Sequence, residues 1–176
     1  MAQISLSGNP SRVSPDLPID PGETDIVSEA VQLLQQARQR GQADGLPYAG
    51  SLTPQEAWSL FEQGAVVLID VRTPEELRYV GRVPGVSNVP WQIGSSLSTN
   101  PRFLRELESK AGSKNEPLVL LCRSGKRSHA AAAAATKAGF GQVYNVTEGF
   151  EGDLDEHQQR GALGGWRHWH LPWIQD

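Results

Sequence analysis

LVLLCRSGKRS, residues Leu118 to Ser128, runs directly into the alanine-rich stretch from His129, and its reading decides the fold. Four apolar residues end on the chain's one cysteine. A loop with one glycine, three cations and two serines follows, and then a strongly helical sequence. The pattern predicts a buried strand, Leu118 to Leu121, that delivers Cys122 to its carboxyl end. A loop then curls around the sulfur, and a helix starts near Lys126 or Arg127 with its amino end aimed back at it. Free amide hydrogens and the helix dipole both favour an anion at that point. Arg123, Lys126 and Arg127 add full charges, so Cys122 is expected to react as a thiolate. A structural cysteine packs as a small hydrophobe and needs neither cations nor a ring of donors, so the surroundings argue for a reactive sulfur.

The remaining composition narrows the partners. With 20 acidic and 16 basic residues in 176, the net charge is −4. Nucleic acid and anionic membranes are therefore poor partners, and the cationic loop is a local feature suited to a small anion. One cysteine excludes an internal disulfide, and an activated free thiol is best kept in a reducing compartment. No apolar stretch approaches membrane-spanning length. The first residues, MAQISLSGNPSRVSPDLP, have neither a basic start nor a hydrophobic segment, so a cytoplasmic location is expected.

Along the chain, residues 1–23 are rich in Ser, Pro, Gly and Asp without periodicity and read as a disordered or loosely attached tail. From Thr24 to Gly41, apolar residues at helical spacing predict an amphipathic helix that docks on its own domain. Gly45 to Ser51 reads as a connector. Thr53-Pro54-Gln55-Glu56 is a capping box that starts a helix stopping at Gly64. Ala65 to Val71 is continuously apolar, as suits a strand covered on both faces, and places Asp70 at a strand carboxyl end. A short helix over Pro74 to Tyr79, a strand near Ser87 to Val89, a helix over Pro101 to Ala111 and a strand over Gln142 to Val146 complete the alternation. The class is α/β with a mainly parallel central sheet of four to five strands flanked by helices.

Four short motifs, in this order and spacing, resemble the rhodanese domain, a sulfurtransferase fold. They are Asp70-Val71-Arg72 with Pro74-Glu75-Glu76; Gly81 with Val83-Pro84-Gly85-Val86 and Asn88-Val89-Pro90; the loop Cys122 to Ser128; and Glu148-Gly149-Phe150. The resemblance runs from Leu52 to about Trp173. It divides the chain into a tail (1–23), an N-terminal helix and connector (24–51) and a rhodanese-like domain (52–176) with an insertion (153–163) and a Trp-rich C-terminal tail. It implies that Cys122 is the sulfur carrier and that Arg123, Ser124, Gly125, Lys126, Arg127 and Ser128 form the cradle binding the substrate. It implies that Asp70 lies near the loop, either orienting a loop cation or capping its own strand. Arg72 matches a motif arginine and is expected to pair with Glu75 or Glu76 as scaffold.

The chain departs from the family pattern at three places. Arg82 stands where histidine is common, the segment from Asp70 to Gly81 is one residue longer than the shortest pattern, and GDLDEHQQRGALGG separates Gly149-Phe150 from Trp166. That polar insertion is expected to lie at the site mouth and to affect the acceptor rather than persulfide formation.

The implied activity is transfer of a sulfane sulfur from a small anion such as thiosulfate to a thiol or cyanide acceptor through a Cys122 persulfide, with no metal or organic cofactor. The alternatives are a non-catalytic sulfur-carrier or regulatory module and, less in keeping with the loop, a cysteine-dependent phosphatase. A phosphatase loop would resemble C-x5-R, whereas here Ser128 is the sixth residue after Cys122 and Arg127 comes one earlier. His157, His168 and His170 with Asp153, Asp155 and Glu156 are expected to be solvated loop residues rather than metal ligands. Trp166, Trp169, Leu171 and Trp173 are expected to cover apolar surface.

Overall fold

The computed structural model describes residues 21–176, with side chains from residue 29 onward. Residues 1–20 of the expected tail lie outside the described residues. The first helix, α1, spans Pro21–Ala43, so it takes in the last residues assigned to the tail. It also runs through Gly41 instead of stopping there. Gly41 serves close approach: a Cβ there would stand 2.6 Å from the Ala49 carbonyl oxygen.

The chain continues as β1 (Gly50–Leu52), α2 (Pro54–Glu62), β2 (Val67–Asp70), α3 (Pro74–Val80) and β3 (Ser87–Asn88). It closes with β4 (Gln92–Ile93), β5 (Ser98–Thr99), α4 (Phe103–Ala111), β6 (Leu118–Leu121), α5 (Lys126–Lys137) and β7 (Val143–Val146). Five strands form one sheet in the order β1-β7-β6-β2-β3, and every pairing in it is parallel. Strand β1 falls where the sequence suggested only a connector. Three residues including a glycine are too short to show a period, and only pairing with β7 makes them a strand. The same shortness hid the β4–β5 hairpin, which pairs Gln92 with Thr99 and Ile93 with Ser98.

The sheet is covered on both faces, which is why its central strands are continuously apolar. On one face Ala30, Leu34, Ala37, Ala57 and Leu60 of α1 and α2 pack on Leu68, Val119, Leu121, Tyr144 and Val146. On the other, Phe103, Leu107, Ala131, Ala132 and Ala135 of α4 and α5 pack on Ile69, Leu118, Leu120 and Val143. Alanines on α5 let that helix lie close to β6 and β7. Both α2 and α3 start with complete capping boxes, Thr53 with Glu56 and Thr73 with Glu76.

Trp166 is fully buried, edge-on to Trp58 at 5.9 Å, with its indole N–H donated to the Pro172 carbonyl. Trp169 and Trp173 remain substantially exposed. The C-terminal segment pairs with the chain just past α3, where Arg82 and Ile174 form a bridge. Trp173 there lies against Gly81, and its ring centroid is 6.4 Å from that of Phe150.

Candidate active site

The central strand β6 ends at Leu121, and the chain turns through Cys122–Gly125 into α5. Gly125 caps the helix at φ +82°, and a Cβ there would stand 2.0 Å from the Thr147 carbonyl oxygen. Both the left-handed backbone and the close approach require glycine. Gly149, at φ +65°, lets the Glu148-Gly149-Phe150 segment press against the other side of the loop. A Cβ on it would meet the Cys122 carbonyl oxygen at 2.5 Å. From there Phe150 N–H donates to Cys122 O (2.7 Å) and Glu151 N–H to Arg123 O (2.9 Å). The loop is held by its carbonyls. Its amides, from Arg123 to Arg127, donate to no acceptor among the described residues. Unspent donors at the start of a helix form an anion site.

Cys122 is a free thiol, 1% exposed, at the inner end of a cleft of about 430 Å3. The buried Ser128 hydroxyl donates to its Sγ at 3.1 Å. The cleft is lined by Arg123, Ser124, Lys126 and Arg127 of the loop region, by Thr73 and Glu76 of the α3 start, by Gln92 and Leu97 of the β4–β5 hairpin, and by Arg160. The structure therefore brings Cys122, Arg123, Ser124, Lys126 and Arg127 to one cleft, while Gly125 caps the helix behind it and Ser128 bonds to the sulfur.

Asp70 and Arg72 are placed differently from expectation. Arg72 pairs with neither Glu75 nor Glu76. Its Nε and Nη2 donate to the Asp70 carboxylate at 2.7–3.0 Å, and Nη2 also donates to Gly81 O at 2.9 Å. Both side chains are buried. The remaining nitrogen, Nη1, has no hydrogen-bond partner among the described residues. The guanidinium instead lies 4.0 Å from the centroid of the Phe150 ring. Asn88 completes the knot by donating to Asp70 O and Arg72 O, both at 2.9 Å. Asp70 is thus bound to Arg72 and not to a loop cation, because a two-residue turn lets the arginine fold back onto its own strand end.

The carboxylate that reaches the loop is Glu76. It accepts both ends of the Arg127 guanidinium, at 2.7 and 2.6 Å, while still capping Thr73 N–H at 3.1 Å. Burial pushes the Glu76 carboxyl up, but the Arg127 fork and the Thr73 amide outweigh it and hold the group below its ordinary range. The Glu76 hydrogen bonds raise Arg127 in turn, against the opposing effect of its own burial. The sequence offered Glu76 as a motif residue and a possible partner of Arg72. That it would serve the loop was not legible, since 51 residues separate it from Arg127. Gln92, Leu97 and Arg160 carried no local signal at all.

The histidines are dispersed. His168 Nδ1 lies 2.9 Å from Gly161 O, and His157 sits beside Glu156 at 3.4 Å. Among the described residues no three His, Cys, Asp or Glu side chains come together in a way that could hold a metal. No helix among them is long and apolar enough to cross a membrane.

A family model described as the rhodanese-like domain matches residues 53–156. The uncharacterized protein RP600 homolog of Rickettsia rickettsii is 35% identical over 112 residues, covering 60% of this chain and 80% of its own. The thiosulfate sulfurtransferase GlpE of Pseudomonas syringae is 34% identical over 100 residues, covering 57% and 82%. Among solved structures, Rv0390 from M. tuberculosis is 43% identical with a TM-score of 0.65 over 73% of this chain and 99% of that one. The polysulfide-sulfur transferase homodimer of Wolinella succinogenes, at 21% identity and a TM-score of 0.51, covers 90% and 95% and shares the fold.

Proposed function

The chain belongs to the rhodanese-like domain family, and from that premise we propose that it is a sulfurtransferase of the thiosulfate type that carries sulfur on Cys122. The observation that carries this reading is the lone thiol itself. It sits at a strand end under a loop whose amides are unspent, in a cleft with four cations and one carboxylate.

In the first half-reaction the Cys122 thiolate attacks the outer sulfur of thiosulfate. A bond forms from Sγ to that sulfur, the sulfur–sulfur bond of the donor breaks, and sulfite leaves with its electron pair. The enzyme is left as a persulfide anion, so charge balances without a proton. In the second, cyanide or a thiolate attacks the outer sulfur and the Cys122 thiolate departs as the leaving group, giving thiocyanate or a new persulfide. Negative charge stays at the cradle throughout. Fixed donors that need not reorganise are suited to that, as in an oxyanion hole. Ser128 gives its hydrogen bond to the sulfur, and Glu76 fixes the orientation of the Arg127 fork at the cleft wall. Arg127 lies five residues after Cys122, which makes a cradle sized to one sulfur better than to a phosphoryl group.

Thiocyanate production from thiosulfate and cyanide tests the proposal. Wild-type protein is expected to turn over and Cys122→Ser to be inert, with no aryl phosphate hydrolysis above the Cys122→Ser control. A folded wild type that makes no thiocyanate would replace the enzyme by a sulfur-carrier or regulatory module. Phosphatase turnover lost in Cys122→Ser would overturn the assignment of the loop.

A further inference from the structure

The insertion 153–163 is a built turn. The Asp155 carboxylate accepts from His157 N–H at 2.9 Å and Gln159 N–H at 2.8 Å, and Asp155 N–H donates to Gln159 O at 2.8 Å. Gln158 is held at φ +60°, a conformation unfavourable for a residue with a side chain. The residue emerging from this turn is Arg160, and it lines the cleft that holds Cys122. Its Nη1 donates to Gly152 O, one residue beyond the amide that holds Arg123 O. A ladder of three contacts, Phe150 to Cys122, Glu151 to Arg123 and Arg160 to Gly152, thus ties the insertion to the loop backbone.

The charge of the cleft is unbalanced. Arg123, Lys126, Arg127 and Arg160 face one carboxylate, Glu76, and that carboxylate is already engaged by Arg127. Arg123, Lys126 and Arg160 form no ion pair among the described residues. The cleft is also larger than the transferred atom requires. Its 430 Å3, lined by residues of four segments, leaves room for more of a donor than the single sulfur that is transferred. A guanidinium anchored by one nitrogen keeps its other donors free for a second anionic group.

We propose that Arg160 is a specificity-determining residue that binds the negative end of the sulfur donor remote from the sulfur being transferred. The proposal rests on the sulfurtransferase reading. It differs from the expectation that the insertion serves only the acceptor. The recognised chemistry is an anionic leaving portion: the sulfonate end of thiosulfate, or a carboxylate on an extended alkyl persulfide. When the Cys122 thiolate takes the sulfur and the donor's sulfur–sulfur bond breaks, the electron pair leaves on sulfite or on the alkyl thiolate. Arg160 stays protonated and moves no proton.

Steady-state kinetics with thiosulfate and with glutathione persulfide, cyanide accepting, test this on wild type, Arg160→Gln, Arg160→Lys and the loop control His157→Ala. For at least one donor, Arg160→Gln is expected to raise KM about ten-fold, the worth of one charge-assisted hydrogen bond, with kcat within about two-fold. The donor affected identifies which anion reaches Arg160. His157→Ala should leave KM unchanged, and salt should raise the wild-type KM more steeply than that of Arg160→Gln. Should Arg160→Gln fail to show the wild-type melting transition, Arg160→Lys takes its place and is expected to show an intermediate rise in KM. Normal wild-type turnover with KM unmoved for both donors in the tested variant overturns this inference alone, as does an equal loss in His157→Ala. Wild-type protein that accepts sulfur from neither donor overturns the sulfurtransferase reading along with it.

Discussion

Two arginine–carboxylate pairs stand close to the loop, and they are built for different tasks. Arg72 and Asp70 are sealed, with side chains 0% and 2% exposed, and every contact they make is to scaffold: Gly81, Asn88 and the Phe150 ring. Arg127 and Glu76 are 15% and 19% exposed and line the cleft. The first pair ties three segments together, since the Arg72 guanidinium touches Asp70, Gly81 and Phe150 at once. The second leaves a fixed cation facing whatever enters. Similar chemistry at similar distances thus separates into structure and site by burial alone.

The largest effect should come from the sealed pair. Asp70→Asn leaves the Arg72 charge buried with a neutral partner, and loss of about 3–5 kcal/mol of unfolding free energy is expected in urea titration. Glu76→Gln should cost less, about 1–3 kcal/mol, since water can reach Arg127 in its place. Sulfur transfer by the folded protein should nonetheless fall, as the fork no longer fixes the guanidinium at the cleft. The same pair has a pH signature. Glu76 is lowered in the folded protein, so its contribution is complete above the ordinary carboxyl value of 4.5 and is lost as pH falls through the lowered folded value. The stability gap between wild type and Glu76→Gln should therefore shrink only in acid. A gap unchanged between pH 7 and pH 3, in urea titrations of both proteins, would deny Glu76 its role. The smallest effect on the fold belongs to Ser128→Ala, about 1 kcal/mol or less, with slower persulfide formation in stopped flow because Cys122 Sγ loses its donor.

The two pairs also mark how far the sequence could be read. Strand β6, Cys122 at its end and the start of α5 at Lys126 are local features, written in four apolar residues and the loop after them. The capping box at Thr53 is equally local. The partners of Asp70, Arg72 and Arg127 are not local. Sequence proximity pointed Arg72 to Glu75 or Glu76, but the turn at Val71 folds it back on Asp70, and Glu76 on α3 is left to face Arg127 on α5. The rim was the least legible part. Gln92 and Leu97 come from a hairpin of two-residue strands, and Arg160 from an insertion whose turn depends on the single side chain of Asp155.

The central claim is that Cys122 holds a transferable sulfur inside this cradle. Intact mass of the reduced protein before and after thiosulfate tests it most directly. The expected result is addition of the mass of one sulfur atom, removed by cyanide and absent in Cys122→Ser. A folded wild type whose mass does not change, or a sulfur that still adds to Cys122→Ser, would contradict it.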